Sequence, residues 1–183
     1  MKRLAVVATA ALLGACSANA PPSTQTIRST VSVSSQDGTG NTTIESFQDV
    51  GGTAHQVGAT PDRVWAVLPA VYQGLGIAVG TSLPEAKTIG NTRLVLNRTL
   101  AGQPLSVFLS CGDGPTGTPL ANNYQVNMAL VTILTPTASG GTRVETRVGA
   151  SATNRAVSGA SVACATTGRL EGLIAERIKN HLG

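Results

Sequence analysis

Two histidines, three cysteines and nine carboxylates are the side chains from which this 183-residue chain could build catalytic or metal chemistry. Their spacing does not organise them. His55 falls in a segment that reads as strand or loop. His181 ends the last helical stretch, where a cation complements the negative end of the helix dipole. Neither histidine has Cys, Asp or Glu at the spacing of a zinc ligand set. Cys111-Gly112-Asp113-Gly114-Pro115 suggests a phosphate or calcium loop, but it lacks the Lys-Ser/Thr of a P-loop and the repeated acids of an EF-hand. A surface loop anchored at its cysteine accounts for the segment better, and leaves Asp113 as a residue that could touch a ligand. Ser151 and Ser161 lack any nucleophile-elbow context. Glu171 and Glu176 are the one close acidic pair, and both are expected to face solvent. The sequence therefore predicts a protein that is not an enzyme and has no metal and no cofactor.

The remaining cysteine, Cys16, has a different context. Met1-Lys2-Arg3 is a short positive region, Leu4 to Leu13 is uncharged and broken only by Thr9, and Gly14 and Ala15 are small. That is the three-part layout of a secretory signal. Ten residues rise only about 15 Å as a helix, roughly half a bilayer core, so the segment is too short for a permanent span. Leu13-Gly14-Ala15-Cys16 resembles the lipobox of bacterial lipoproteins, in which the cysteine sulfur receives a diacylglycerol and the chain is cut just before it. The alternative is an ordinary signal cut near Ala18 or Ala20, with Cys16 lost.

The resemblance implies a signal peptide over 1–15, a lipidated flexible tether over 16–26 and a single domain over 27–183. The lipid on Cys16 is then the contact with the membrane, each buried methylene contributing about 0.8 kcal/mol. Asp after the cysteine retains the enteric members of that family at the inner membrane. Ser17 stands there in this chain, which points to the periplasmic face of the outer membrane.

With the signal removed, the thirteen Lys and Arg fall to eleven against nine acids, so the net charge of +4 drops to about +2. The remaining basic residues are scattered, without a run or interleaved aromatics, which argues against nucleic acid as a partner. Charged residues are 12% of the chain, about half the usual share, yet apolar residues are 42% and well patterned. Such a chain builds a core.

Cys111 and Cys164 form an even pair. In an oxidising compartment they suggest a disulfide, with two buried free thiols as the alternative.

The elements that must position these residues follow from periodicity. Thr30–Ser34 and Thr42–Phe47, joined by turn residues 36–40, read as a hairpin, and 53–57 as a further strand. Thr60 as N-cap, Pro61 at the first helical position and Asp62 in the first turn start a helix. Val64, Leu68, Val71 and Leu75 give it an apolar face, widened by Trp65 and Tyr72. Pro69 is expected to kink or split it, and Gly74 and Gly76 to end it. Short strands are expected at 77–79 and 93–100, with a loop or weak helix at 81–92. The segment 105–111 is expected to pair with 93–100 as a strand. Long strands are expected at 124–134 and 143–152. The second of these has one apolar and one charged face, as in a sheet covered on one side only. A helix from about Thr166 to Leu182 carries the stripe Leu170, Leu173, Ile174, Ile178 and Leu182, with Glu171, Arg177 and Lys179 facing out.

This order predicts an α+β fold, an antiparallel sheet with two helices packed on one face. Thr60-Pro61-Asp62-Arg63-Val64-Trp65-Ala66-Val67-Leu68 and Leu75-Gly76-Ile77 resemble the repeated helix-grip domains of the outer-membrane assembly lipoprotein BamC. Those domains likewise open a helix with Asp and Trp and turn through Leu-Gly into a strand. This chain departs from them in having one domain and in carrying Cys111 and Cys164. Two functions follow as expectations. The first is a non-catalytic structural or interaction module that binds another envelope protein through a sheet edge or the Gly-rich loop. The second is a small-molecule or lipid binder with a cavity between sheet and helix. Trp65, Tyr72, Phe108 and Tyr124 are the candidates to line such a cavity, with plain core packing as their alternative role.

Overall fold

The computed structural model describes residues 27–34, 41–48, 52–156 and 161–183. The signal over 1–15, Cys16 with the tether to residue 26, and the turn at 36–40 lie outside the described residues. Strands β1 (Ile27–Ser34) and β2 (Asn41–Gln48) pair antiparallel, with Val31 opposite Ile44, as the expected hairpin.

The main sheet is built from β3 (Gly52–Val57), β4 (Thr81–Leu83), β5 (Thr88–Asn97), β8 (Leu109–Ser110), β9 (Gln125–Pro136), β10 (Thr142–Thr153) and β11 (Ser161–Thr166). Its order is β4-β5-β9-β10, every pairing antiparallel, with β8 beyond β11. The far edge of β10 is shared. β3 takes Thr142 to Arg147, and β11 takes Ala150 to Thr153, end to end in one lane. A small hairpin, β6 (Thr99–Leu100) and β7 (Gln103–Pro104), turns through Ala101 and Gly102, both at positive φ, as a two-residue hairpin turn requires.

Alternation along β9 and β10 sorts the two faces. Val126, Met128, Leu130, Thr132 and Leu134 pair in register with Ala152, Ala150, Val148, Thr146 and Val144, and nearly all of them are buried. Both long helices, α1 (Pro61–Gly74) and α3 (Arg169–Leu182), lie on this face and pack against one another. The fold is thus α+β with both helices on one side. Val64, Leu68, Val71 and Tyr72 of α1 and Leu170, Ile174 and Ile178 of α3 close the core.

Several elements differ from expectation for local reasons. α1 runs unbroken through Pro69, which sits on its exposed side, where the carbonyl it leaves unbonded can turn to water. Thr60 occupies the N-cap but makes no side-chain cap bond. Ile77 does not begin a strand. Its N–H bonds the Tyr72 carbonyl across Gly76 at φ 71°, a Schellman motif that uses up the residue in ending the helix. Residues 81–83 and 88–92 are strand rather than loop or weak helix, because β4 and the start of β5 form a hairpin whose turn is 84–87, with Pro84 in it.

The segment 105–111 is not a strand paired with 93–100. Leu105–Val107 is a 3-10 turn started by Leu105 N–H on the Arg98 carbonyl, and Leu105, Phe108 and Leu109 are all buried, which no period-2 pattern permits. β5 pairs with β9 instead, across a bulge between Asn91 and Leu94. The Asn91 side chain holds the bulge, accepting from Arg93 N–H and donating to the Ala78 carbonyl. β11 and the one-turn helix α2 (Leu120–Asn123) were not anticipated, and α3 starts at Arg169 rather than Thr166, which belongs to β11.

Candidate functional site

Cys111 and Cys164 are bonded, with S–S 2.03 Å and Cα–Cα 4.1 Å. β8 and β11 set this up: Ala165 opposes Ser110 and Thr166 opposes Leu109, and the same register carried one step further brings the two cysteines face to face. Cα atoms of an antiparallel pair approach to about 4.5 Å where the ladder bonds are absent. Both cysteines are buried. The bridge therefore closes the outermost strand pair and fixes the base of the Gly112–Pro119 loop. Asp113 and Cys111 line a small hollow of about 220 Å³ there.

The four aromatic candidates do not converge on one cavity. Tyr72 and Phe108 are buried, whereas Trp65 and Tyr124 are half-buried at the rim of the core. The Tyr72 hydroxyl is 2.9 Å from Thr132 Oγ1 and donates to the Ile89 carbonyl at 3.3 Å. Tyr124 immediately precedes β9, eight residues before Thr132, about 26 Å of extended chain. Its hydroxyl accepts from Asn154 Nδ2 at 3.4 Å. Trp65 faces Lys87, whose ammonium is 5.7 Å from the ring centroid and 2.7 Å from Asp62. Phe108 alone of the four borders a broad cleft, about 490 Å³, between the 3-10 turn and the first turns of α3, with Val107, Arg169, Gly172 and Glu176.

Beneath the helices runs a buried polar seam. Thr132 Oγ1 is 3.0 Å from Thr146 Oγ1, continuing the line that begins at Tyr72. Burial pushes the Tyr72 phenol up to about 12, against a smaller opposing effect of its bond to Thr132.

Glu171 was expected to face solvent and is instead fully buried. The arc of α3 explains it. At about 100° per residue, Glu171 lies 100° from Leu170, between Ile178 at 80° and Leu182 at 120°. That spacing was readable in the sequence and was overridden by the residue's charge. Glu171 Oε1 accepts from Thr166 Oγ1 at 2.7 Å, and Thr166 Oγ1 accepts from Gly168 N–H at 3.1 Å. Glu171 Oε2 and His55 Nε2 are both buried without a hydrogen-bond partner. Burial raises the Glu171 carboxyl above its ordinary value, opposed by Thr166, its own backbone and the nearby His55. Glu176 is exposed, as expected, and so is His181.

The sheet's other face carries Ala129, Val131 and Ile133 of β9, Val95 of β5, and Arg143, Glu145 and Arg147 of β10. Glu145 bonds Arg147 Nε at 2.7 Å and lies 3.5 Å from Arg143. No helix covers this face among the described residues. Val95 is 55% exposed. Among the described residues, no group of three or more His, Cys, Asp or Glu could hold a metal ion, and no helix is long and apolar enough to cross a membrane. Comparisons of the chain with protein-family models, with curated proteins and with solved structures gave no match.

Proposed function

We propose that this chain is a lipid-anchored protein of the bacterial cell envelope that acts without catalysis, as an interaction module leashed to the membrane at Cys16. The observation that carries the reading is the asymmetry of the sheet. One face is sealed by α1 and α3. The other presents half-buried Val131 and Ile133 opposite Arg147 and Glu145, with exposed Val95 further along the same face beside Asn127, apolar surface edged by charge of the kind that marks protein contacts. The Cys111–Cys164 disulfide suits an exported protein. The lipobox-like Leu13-Gly14-Ala15-Cys16 and Ser17 favour the periplasmic face of the outer membrane. The binder reading has less support, because Leu68, Tyr72, Leu130 and Ile174 fill the space between helices and sheet.

Two experiments test the reading. Cells fed a labelled fatty acid are expected to label the wild-type protein and not Cys16→Ala, and label on the variant overturns the anchor. A photocrosslinking residue at Val131 or Val95 is expected to capture a discrete envelope protein in living cells, while the same residue at exposed Gln73 on α1 captures none. Equal capture from both sides of the molecule rejects the open face as the contact.

A further inference from the structure

We propose that the cleft between the 3-10 turn and the first turns of α3 binds a short extended peptide with free ends, about three residues long. This cleft lies outside the packed core and on the helix side of the molecule, away from the open sheet face. Its volume of about 490 Å³ falls within the range of small-molecule sites, about 300–1,000 Å³.

Two opposite charges mark its ends. Arg169 and Glu176 both border it, seven residues apart on α3. Seven residues fall about 20° short of two full turns, so both side chains leave the same face of the helix, about 10.5 Å apart along its axis. Neither has an ion-pair partner among the described residues. Arg169 opens the helix and adds its cation to the positive end of the dipole, where the N-cap, Gly168, makes no side-chain bond. Three extended residues span about 10 Å from ammonium to carboxylate. The carboxylate then meets Arg169 and the ammonium meets Glu176.

Between these ends the cleft is largely apolar. Leu173 and Val107 are half-buried there and Phe108 is buried, so the middle side chain of the peptide finds a place to leave water. Gln103, exposed on the small β6–β7 hairpin, brings an amide able to donate to and accept from a peptide unit.

Gly172 has no backbone reason to be glycine. Its φ is outside the left-handed region, and a Cβ built on it meets no atom within 4 Å. Glycine inside a helix costs stability relative to alanine. The missing side chain instead keeps the cleft open at its middle, between Arg169 and Glu176. Stability given up at a concave surface is the mark of a trade with function.

Calorimetry and amide-shift mapping of the full chain with alanyl-leucyl-alanine test the site. Saturable sub-millimolar binding is expected, with shifts at Gln103, Phe108 and Gly172. Acetylating the peptide's amine is expected to weaken binding about fivefold in the wild type and to change nothing in Glu176→Gln. Amidating its carboxylate is expected to do the same, matched by Arg169→Gln. Gly172→Leu fills the cleft and is expected to abolish binding while the thermal midpoint stays at or above that of the wild type. Absence of saturable binding overturns the proposal. So does Gly172→Leu binding as tightly as the wild type, or end-capping that weakens the wild type and the matched variant equally. Shifts that map to Val95 and Val131 overturn it too, and leave the open face as the contact.

Discussion

Cys111 and Cys164 stand directly opposite one another on neighbouring antiparallel strands, so their bond is a rung of the ladder rather than a link between distant loops. Only two residues of β8 pair with β11, which makes this edge the least supported of the sheet.

Reduction, or Cys111→Ser with Cys164→Ser, is therefore expected to release β8 and the Gly112–Pro119 loop. The 53-residue separation gives a stability loss of about 4 kcal/mol on the chain-entropy model. Urea unfolding with and without reductant measures it. An unchanged midpoint would show that the bond constrains nothing.

Two glycines should respond oppositely to alanine. A Cβ on Gly90 would lie 2.2 Å from the Leu130 carbonyl oxygen, so β5 and β9 must separate at their centre, and Gly90→Ala is expected to unfold the domain or cost several kcal/mol. A Cβ on Gly172, inside α3, meets no atom within 4 Å, and Gly172→Ala is expected to add about 0.5–1 kcal/mol. Thermal unfolding of the pair reads both effects.

Tyr72→Phe removes one end of the hydroxyl line but leaves Thr132 bonded to Thr146. The expected cost is about 1 kcal/mol near neutrality. The phenol's folded value is raised to about 12, so its stabilisation is whole below the unfolded value of about 10 and drains away between the two. Alkaline unfolding followed by absorbance should be steeper in the wild type than in Tyr72→Phe.

On the open face the bond from Arg147, with further help from the charges of Arg147 and Arg143, holds the Glu145 carboxyl below its usual range. That support is present at neutral pH and is lost as pH falls through the lowered value. The cluster is part-exposed, so Glu145→Gln is expected to cost at most about 1 kcal/mol, and less at high salt. A denaturation series at two ionic strengths checks it.

Residues whose type and period agree were legible in the sequence. Pro61, Asp62 and the Val64–Leu68–Val71–Leu75 face placed α1, and strict alternation placed β9, β10 and the one-sided sheet. The cysteine pair was legible from its evenness once Cys16 is set apart. Failures came where two signals conflicted. Leu105, Val107 and Leu109 alternate like a strand, but Phe108 is buried between them in a turn. β11 is mostly small residues and gives almost no apolar period. Glu171 is charged yet lies inside the apolar arc of α3, where its type and its position conflict.

The shared lane on β10 has a kinetic meaning. Val57 finds its mate Thr142 only after eighty-five further residues are in hand, whereas Cys164 pairs with Ala150 only fourteen residues away. Neither short strand has another neighbour long enough to hold it. Assembly thus waits on the Gln125–Thr153 hairpin, and β3 is the strand that must dock late. Loop-closure entropy at that distance makes such a fold slow to complete, and it leaves an emerging N-terminal segment with sticky, unpaired backbone until the final third appears.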